Sequence, residues 1–122
     1  MGVYVSIRGW LEGDEEQLAS IKRIIEANDD EHYSGGWGFP ARPFNWTSYA
    51  FYGGDVRESM VSWFFDQLVA IAELPASDED EDRVLGLFMA THEMTGLSEW
   101  QIRDGEVHVL PGDDRHQYLR PL

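Results

Sequence analysis

The chain is 122 residues long and carries 23 Asp and Glu against 9 Lys and Arg, a formal net charge of -14, with no cysteine. Apolar residues at 43% and aromatics at 13% belong to a packed domain rather than a solvated acidic tail. These figures fit one domain over residues 1–122. They set aside disulfides, thiol nucleophiles and thiolate metal sites, as well as a bare phosphate backbone, which so acidic a surface would repel.

The start, Met1 to Arg8, lacks a basic segment followed by a long apolar core, and no apolar run approaches the 18 or so residues of a membrane span. The expected setting is cytoplasmic, with no membrane partner. Val3, Val5 and Ile7 alternate with Tyr4, Ser6 and Arg8, the period of a half-buried strand, and Gly9 to Gly13 reads as its exit. Asp14 and Gln17 form a capping-box pair at the start of a helix. Glu15 and Glu16 occupy its first turn, where the helix dipole favours acids. Leu18, Ile21, Ile24 and Ile25 make its apolar face, and Asn28-Asp29-Asp30 ends it.

Residues 31–45 mix three glycines and two prolines with four aromatics, which reads as a long structured loop. Trp46 to Tyr52 reads as a strand closed by Gly53-Gly54. Asp55, with Glu58 three residues on, is expected to cap a second helix that ends at Pro75. That helix is apolar over more than half its circumference, so it is either central or covered on a second face. Residues 77–82 form a solvated acidic loop, and they lack the glycine and the bidentate Glu of a calcium-binding loop. Val84 to Thr91 is an unbroken apolar run, expected to be a central strand buried on both faces.

Asp104-Gly105 between two alternating segments predicts a two-residue hairpin. The register follows: Arg103 opposite Glu106, Ile102 opposite Val107, Gln101 opposite His108 and Trp100 opposite Val109. Residues 113–122 are expected to be a loosely held tail. The fold class that results is α+β, an antiparallel or mixed sheet of four to five strands with two helices packed on one face.

No catalytic motif stands out. There is no phosphate-binding glycine loop, no G-x-S-x-G and no H-E-x-x-H, and the four histidines lie far apart in sequence. No catalytic residue, metal site or cofactor is therefore assigned, and an enzyme is the lesser expectation. Two features are candidate binding elements. One is the aromatic segment, with Tyr33, Trp37, Phe39, Phe44 and Trp46 around Arg42, which two prolines hold on a stiff backbone. The other is the acidity at the two ends of the first helix, at Glu15 and Glu16 and at Asp29 and Asp30, together with the acidic loop; such charge steers a basic partner.

The leading reading is a small acidic interaction protein of the immunity or inhibitor type. Its carboxylates would pair with a basic protein such as a nuclease, and its aromatics would act as desolvated anchors. One alternative is a small-molecule binder or enzyme using residues 32–46, with Arg42, His32 and Asp55. The other is a subunit of a homodimer or larger homo-oligomer, suggested by the apolar second helix.

Overall fold

Alternation builds the first strand as the sequence implies, and carries it further. In the computed structural model, which describes residues 2–41, 46–77 and 79–120, β1 spans Tyr4–Gly13 and runs through the glycines expected to end it. Val5, Ile7 and Leu11 are buried on one side. The chain then enters α1 (Glu15–Ala27) through the expected capping box: Asp14 accepts from the Gln17 N–H at 2.8 Å, and Gln17 accepts from the Asp14 N–H at 3.0 Å. Buried Gln17 also donates to the Asp82 carbonyl at 2.9 Å, which ties the start of α1 to the acidic loop.

A 3-10 turn at Tyr33–Gly36 leads into a two-residue strand, β2 (Trp37–Gly38), which pairs with β3 (Ser48–Arg57). A second 3-10 turn, Glu58–Met60, precedes α2 (Val61–Ala72). The remaining strands are β4 (Leu85–His92), β5 (Gly96–Arg103) and β6 (Glu106–Pro111). They form one six-stranded sheet in the order β2-β3-β1-β4-β5-β6, with every neighbouring pair antiparallel. The expected four to five strands were an undercount: the sixth is the short β2. The α+β class, with two helices on one face of an antiparallel sheet, stands.

The hairpin forms in the derived register, with Arg103 opposite Glu106, Ile102 opposite Val107, Gln101 opposite His108 and Trp100 opposite Val109. Asp104 and Gly105 both have positive φ, 54° and 76°, as a two-residue turn of this type requires.

Two further features differ from the sequence reading. Asp55 does not cap a helix. It lies in β3 opposite Ser6, whose hydroxyl donates to it at 2.5 Å. The ten-residue register of β3 on β1 satisfies more backbone groups than an early helix start would, so Gly53-Gly54 stays extended and α2 begins five residues later than that cap implies. The Leu85–His92 strand is buried on one side, and on the other only at Thr91, where the tail crosses it. Phe88 and Ala90 face the helices, while Leu85, Leu87 and Met89 face away and are exposed or half-buried. Because both helices cover the same side, the opposite side of even a central strand meets solvent.

α1 lies against β1 and β3, and α2 lies against β5 and β6 and contacts α1. The apolar α2 is therefore covered by the sheet and by α1, and the side chains it exposes are Ser62, Asp66 and Ala70. Phe64 sits at the centre of the core, its ring 4.4 Å from Tyr52, 5.5 Å from Trp37 and 5.8 Å from Phe88. After β6 the chain turns back over the uncovered side of the sheet. The Gly112 N–H donates to the Leu97 carbonyl at 2.9 Å, Thr91 Oγ1 donates to the Leu119 carbonyl at 2.7 Å, and Arg8 Nη2 donates to the Arg120 carbonyl at 2.8 Å. Residues 113–120, the described part of the expected tail, thus have anchors on the sheet. Among the described residues no helix is long and apolar enough to cross a membrane.

Candidate interaction face

The side of the sheet away from the helices carries every second residue of each strand. From β1 come Arg8, Trp10 and Glu12, from β3 Tyr49 and Phe51, and from β4 Leu85, Leu87 and Met89. Trp10 is flanked in register by Phe51 on one strand and Leu87 on the other, and Glu12 by Tyr49 and Leu85. The Tyr49 and Phe51 rings stack at 5.8 Å and 15°. Trp10 is 36% exposed, Tyr49 36%, Phe51 46% and Leu85 49%. The tail crosses the sheet at Arg8, Thr91 and Leu97, while Trp10, Tyr49, Phe51 and Leu85 keep the exposures just given. A contiguous apolar patch of this kind on a small acidic domain is a candidate surface for another molecule.

At its Glu12 end the patch runs into a cavity of about 460 Å3. Glu12 and Asp14 come from the junction of β1 and α1, Glu81 and Asp82 from the loop before β4, Asp104 from the hairpin tip, and Trp46 from the entry to β3. Among the described residues Arg83 is the one basic side chain in the lining. Glu15 and Glu16 stand exposed on the adjoining first turn of α1. The two acidic elements that are separate in sequence, the start of the first helix and the acidic loop, thus form one pole. They are joined by the Gln17–Asp82 bond and by a hydrogen bond from Ser77 to Asp14. A cavity lined by carboxylates that also offers an exposed indole suits a Lys or Arg head group.

The other expected binding residues lie elsewhere. Trp37 is buried against Phe64 and Tyr52. Phe39 stacks on Trp37 at 6.4 Å, with Lys22 Nζ 5.0 Å from its ring centroid. Tyr33 lies tilted against Trp63, with ring centroids 6.4 Å apart, and its hydroxyl accepts from the Arg57 N–H at 3.4 Å. These three rings close one edge of the core. Tyr52, beneath them, donates its hydroxyl to the Tyr33 carbonyl at 2.8 Å; burial, followed by the nearby acids, pushes its pKa up to about 12, so it stays neutral. Trp46 separates from the group and reaches the acidic cavity, 82% exposed. Arg42 and Phe44 lie outside the described residues.

Asp29 and Asp30 follow the far end of α1, roughly 20 Å along the helix from Glu15. Asp29 is exposed, and its carboxylate accepts from the Glu31 N–H. Asp30 organises the 3-10 turn: its Oδ1 accepts from the N–H groups of His32, Tyr33 and Ser34 at 3.1, 2.8 and 2.9 Å. Partial burial pushes its pKa up, but these bonds and the Ser34 hydroxyl outweigh that, so the carboxyl sits below its ordinary 3.8. A depressed folded-state pKa means stability that is present above the unfolded value and lost as the pH falls through the folded one. Urea denaturation should therefore show the wild type losing Asp30's contribution below about pH 4, whereas Asp30→Ala is weaker at neutral pH and has a flatter acid limb. An Asp30→Ala acid limb as steep as wild type would contradict this role.

His32 is exposed at the start of the same turn. His92 is fixed by Glu58 on one ring nitrogen and by the N–H groups of Met94 and Thr95 on the other, a turn-stabilising arrangement. Among the described residues no three His, Asp or Glu are grouped to hold a metal.

No protein-family model, no curated protein and no solved structure matches this chain. Its site must be read from its own residues. Trp10, Tyr49, Phe51 and Leu85 are the side chains that sequence reasoning missed. A signal for them exists in 49–52, Tyr-Ala-Phe-Tyr, where aromatics fall on both faces of one strand. In a sheet with helices on a single side, one of those faces must be open.

Proposed function

We propose that this chain is a non-enzymatic, acidic binding domain that docks a basic protein on the open side of its sheet. The observation that carries the reading is continuity: the apolar patch around Trp10 and Phe51 meets the acidic cavity at Glu12 without a break. Such a surface combines a desolvated centre of Trp, Tyr and Phe with a charged border, the anatomy of a protein interface rather than of a small-molecule pocket. Carboxylates at the pole pair with Lys and Arg of the partner and speed encounter at long range.

The sharpest form of the proposal is an inhibitor of the immunity type. An enzyme that holds nucleic acid presents a basic cleft shaped for phosphate, and a ring of carboxylates can occupy it. The proposal includes a cytoplasmic setting, which a cysteine-free chain suits.

The test is retention of proteins from the source lysate on a column of this domain at low ionic strength, where surface charge is least screened. A basic protein should be retained and released by salt. The double variant Trp10→Ser, Phe51→Ser should lose it, since hot-spot truncations each cost about 2 kcal/mol or more. A column that retains no basic protein, or retention indifferent to the double variant, would contradict the proposal.

A further inference from the structure

β6 ends the sheet, and no described residue pairs with its outer edge. In the hairpin register Glu106, His108 and Leu110 direct their N–H and C=O groups to β5, so those of Val107 and Val109 point outward. The usual protections of such an edge are missing. The strand has no lysine, its register with β5 from Ser98 to Arg103 is unbroken by a bulge, and its one proline, Pro111, stands at the very end. At the end of the strand the Gly112 N–H continues the ladder inward to the Leu97 carbonyl. Val109 is 58% exposed and Leu110 36%. His108 Nε2 is shielded from solvent, makes no hydrogen bond and lies 3.7 Å from a carboxylate oxygen of Glu106. Residues 107–111, Val-His-Val-Leu-Pro, carry no carboxylate in a chain with 23 of them.

We infer that β6 pairs antiparallel with β6 of a second copy of this chain, about a two-fold axis at His108. This inference is independent of the proposed docking of a basic protein, which uses the open face of β3, β1 and β4 and the acidic pole rather than the outer edge of β6. A second copy is the occupant that the charge selects. The pairing centres on residues 107–109, which carry no carboxylate, and leaves the one acid of each strand, Glu106, at the border; its antiparallel sense sends the two hairpin tips, with their acidic poles, to opposite ends of the joined sheet.

The register follows from the outward groups. Val107 faces Val109 of the second copy and the reverse, which forms about four backbone hydrogen bonds, and the two His108 residues meet at the axis as a non-hydrogen-bonded pair. Glu106 falls opposite Leu110, so no two acids face each other. Val109 gains an apolar neighbour on the helix side. One strand edge is small beside the roughly 800 Å2 per partner of a stable complex, so the association is weak and depends on concentration.

The chain has no cysteine, so single substitutions read the register directly. Residues paired at the axis have Cα atoms about 4.5 Å apart, within disulfide reach. His108→Cys should form a disulfide-linked dimer under mild oxidation, while Leu110→Cys, which faces Glu106, should stay unlinked. Sedimentation of the wild type should show monomer and dimer exchanging with concentration. Val109→Lys, at an exposed position that the fold tolerates, should raise the dissociation constant by at least about tenfold. A wild type that remains monomeric at millimolar concentration overturns the inference, whatever else the edge takes up. So does linkage of Leu110→Cys as fast as His108→Cys, which would mean another register or random collision.

Discussion

Phe64→Ala should lose about 3–5 kcal/mol of folding stability, the usual cost of emptying a buried aromatic site. Phe64 is fully buried, and its ring touches those of Trp37, Tyr52 and Phe88. Those neighbours come from β2, β3 and β4, strands held in place by the sheet, so the space cannot close by a simple shift of one side chain. Small domains have only about 5–15 kcal/mol in total, so the variant would stand near the edge of folding at 37 °C. Urea denaturation followed by tryptophan fluorescence measures the change. Phe64→Leu should recover most of the loss, and Trp46→Ala, at an 82% exposed position, should stay within about 0.5 kcal/mol of wild type. A loss below about 1 kcal/mol for Phe64→Ala would show that the core is centred elsewhere.

Gly9→Ala should be as damaging for a different reason. A Cβ at Gly9 would lie 2.1 Å from the Leu87 carbonyl oxygen, 2.6 Å from Phe88 Cδ1 and 2.7 Å from Phe88 Cα. Two of these atoms are backbone of the adjacent strand, so relief requires β1 and β4 to separate at the middle of the sheet. The expected cost is about 3 kcal/mol or more, at the upper end of overpacking penalties. Gly53→Ala provides the contrast. Gly53 is in β3 opposite Arg8, next to Gly9 in the sheet, and nothing lies within 4 Å of its added Cβ. That variant should be near neutral. If both variants melt alike, close approach at Gly9 is not what the glycine supplies.

Gly9 also shows where sequence reading reaches its limit. As a residue type it breaks strands, and the segment 9–13 reads as an exit. In the fold it is the place where Phe88 presses on the sheet, a requirement set by a residue nearly eighty positions away. The hairpin is the opposite case. Asp104-Gly105 and the alternation around it specify turn, register and face locally, and all three form as derived. The capping box at Asp14 is equally local.

The β3–α2 boundary failed because a good local cap at Asp55 competes with ten residues of strand pairing, and the pairing wins. The candidate face was the least legible part. The acidic cavity draws on chain positions from Glu12 to Asp104, and only the sheet brings them together. Trp37 and Trp46 are similar in sequence context, yet one is buried beside Phe64 and the other stands in solvent at the acidic pole. No local pattern separates them.

The face makes one physical demand on whatever binds it. In the proposed docking a partner covers Trp10 and Phe51 while presenting cations toward Glu12, Glu81 and Asp104. Neutralising Glu15, Glu81 and Asp104 together should weaken association mainly by slowing encounter, whereas truncating Trp10 should speed dissociation.

Oxidative footprinting of side chains, with and without the basic protein retained from the lysate, tests the docking face most directly. Binding should reduce oxidation of Trp10, Tyr49, Phe51 and Trp46 together. Met94, 77% exposed in the β4–β5 turn at the other end of the sheet, should be unchanged. Protection of Met94 with no change at Trp10 and Phe51 would contradict the account.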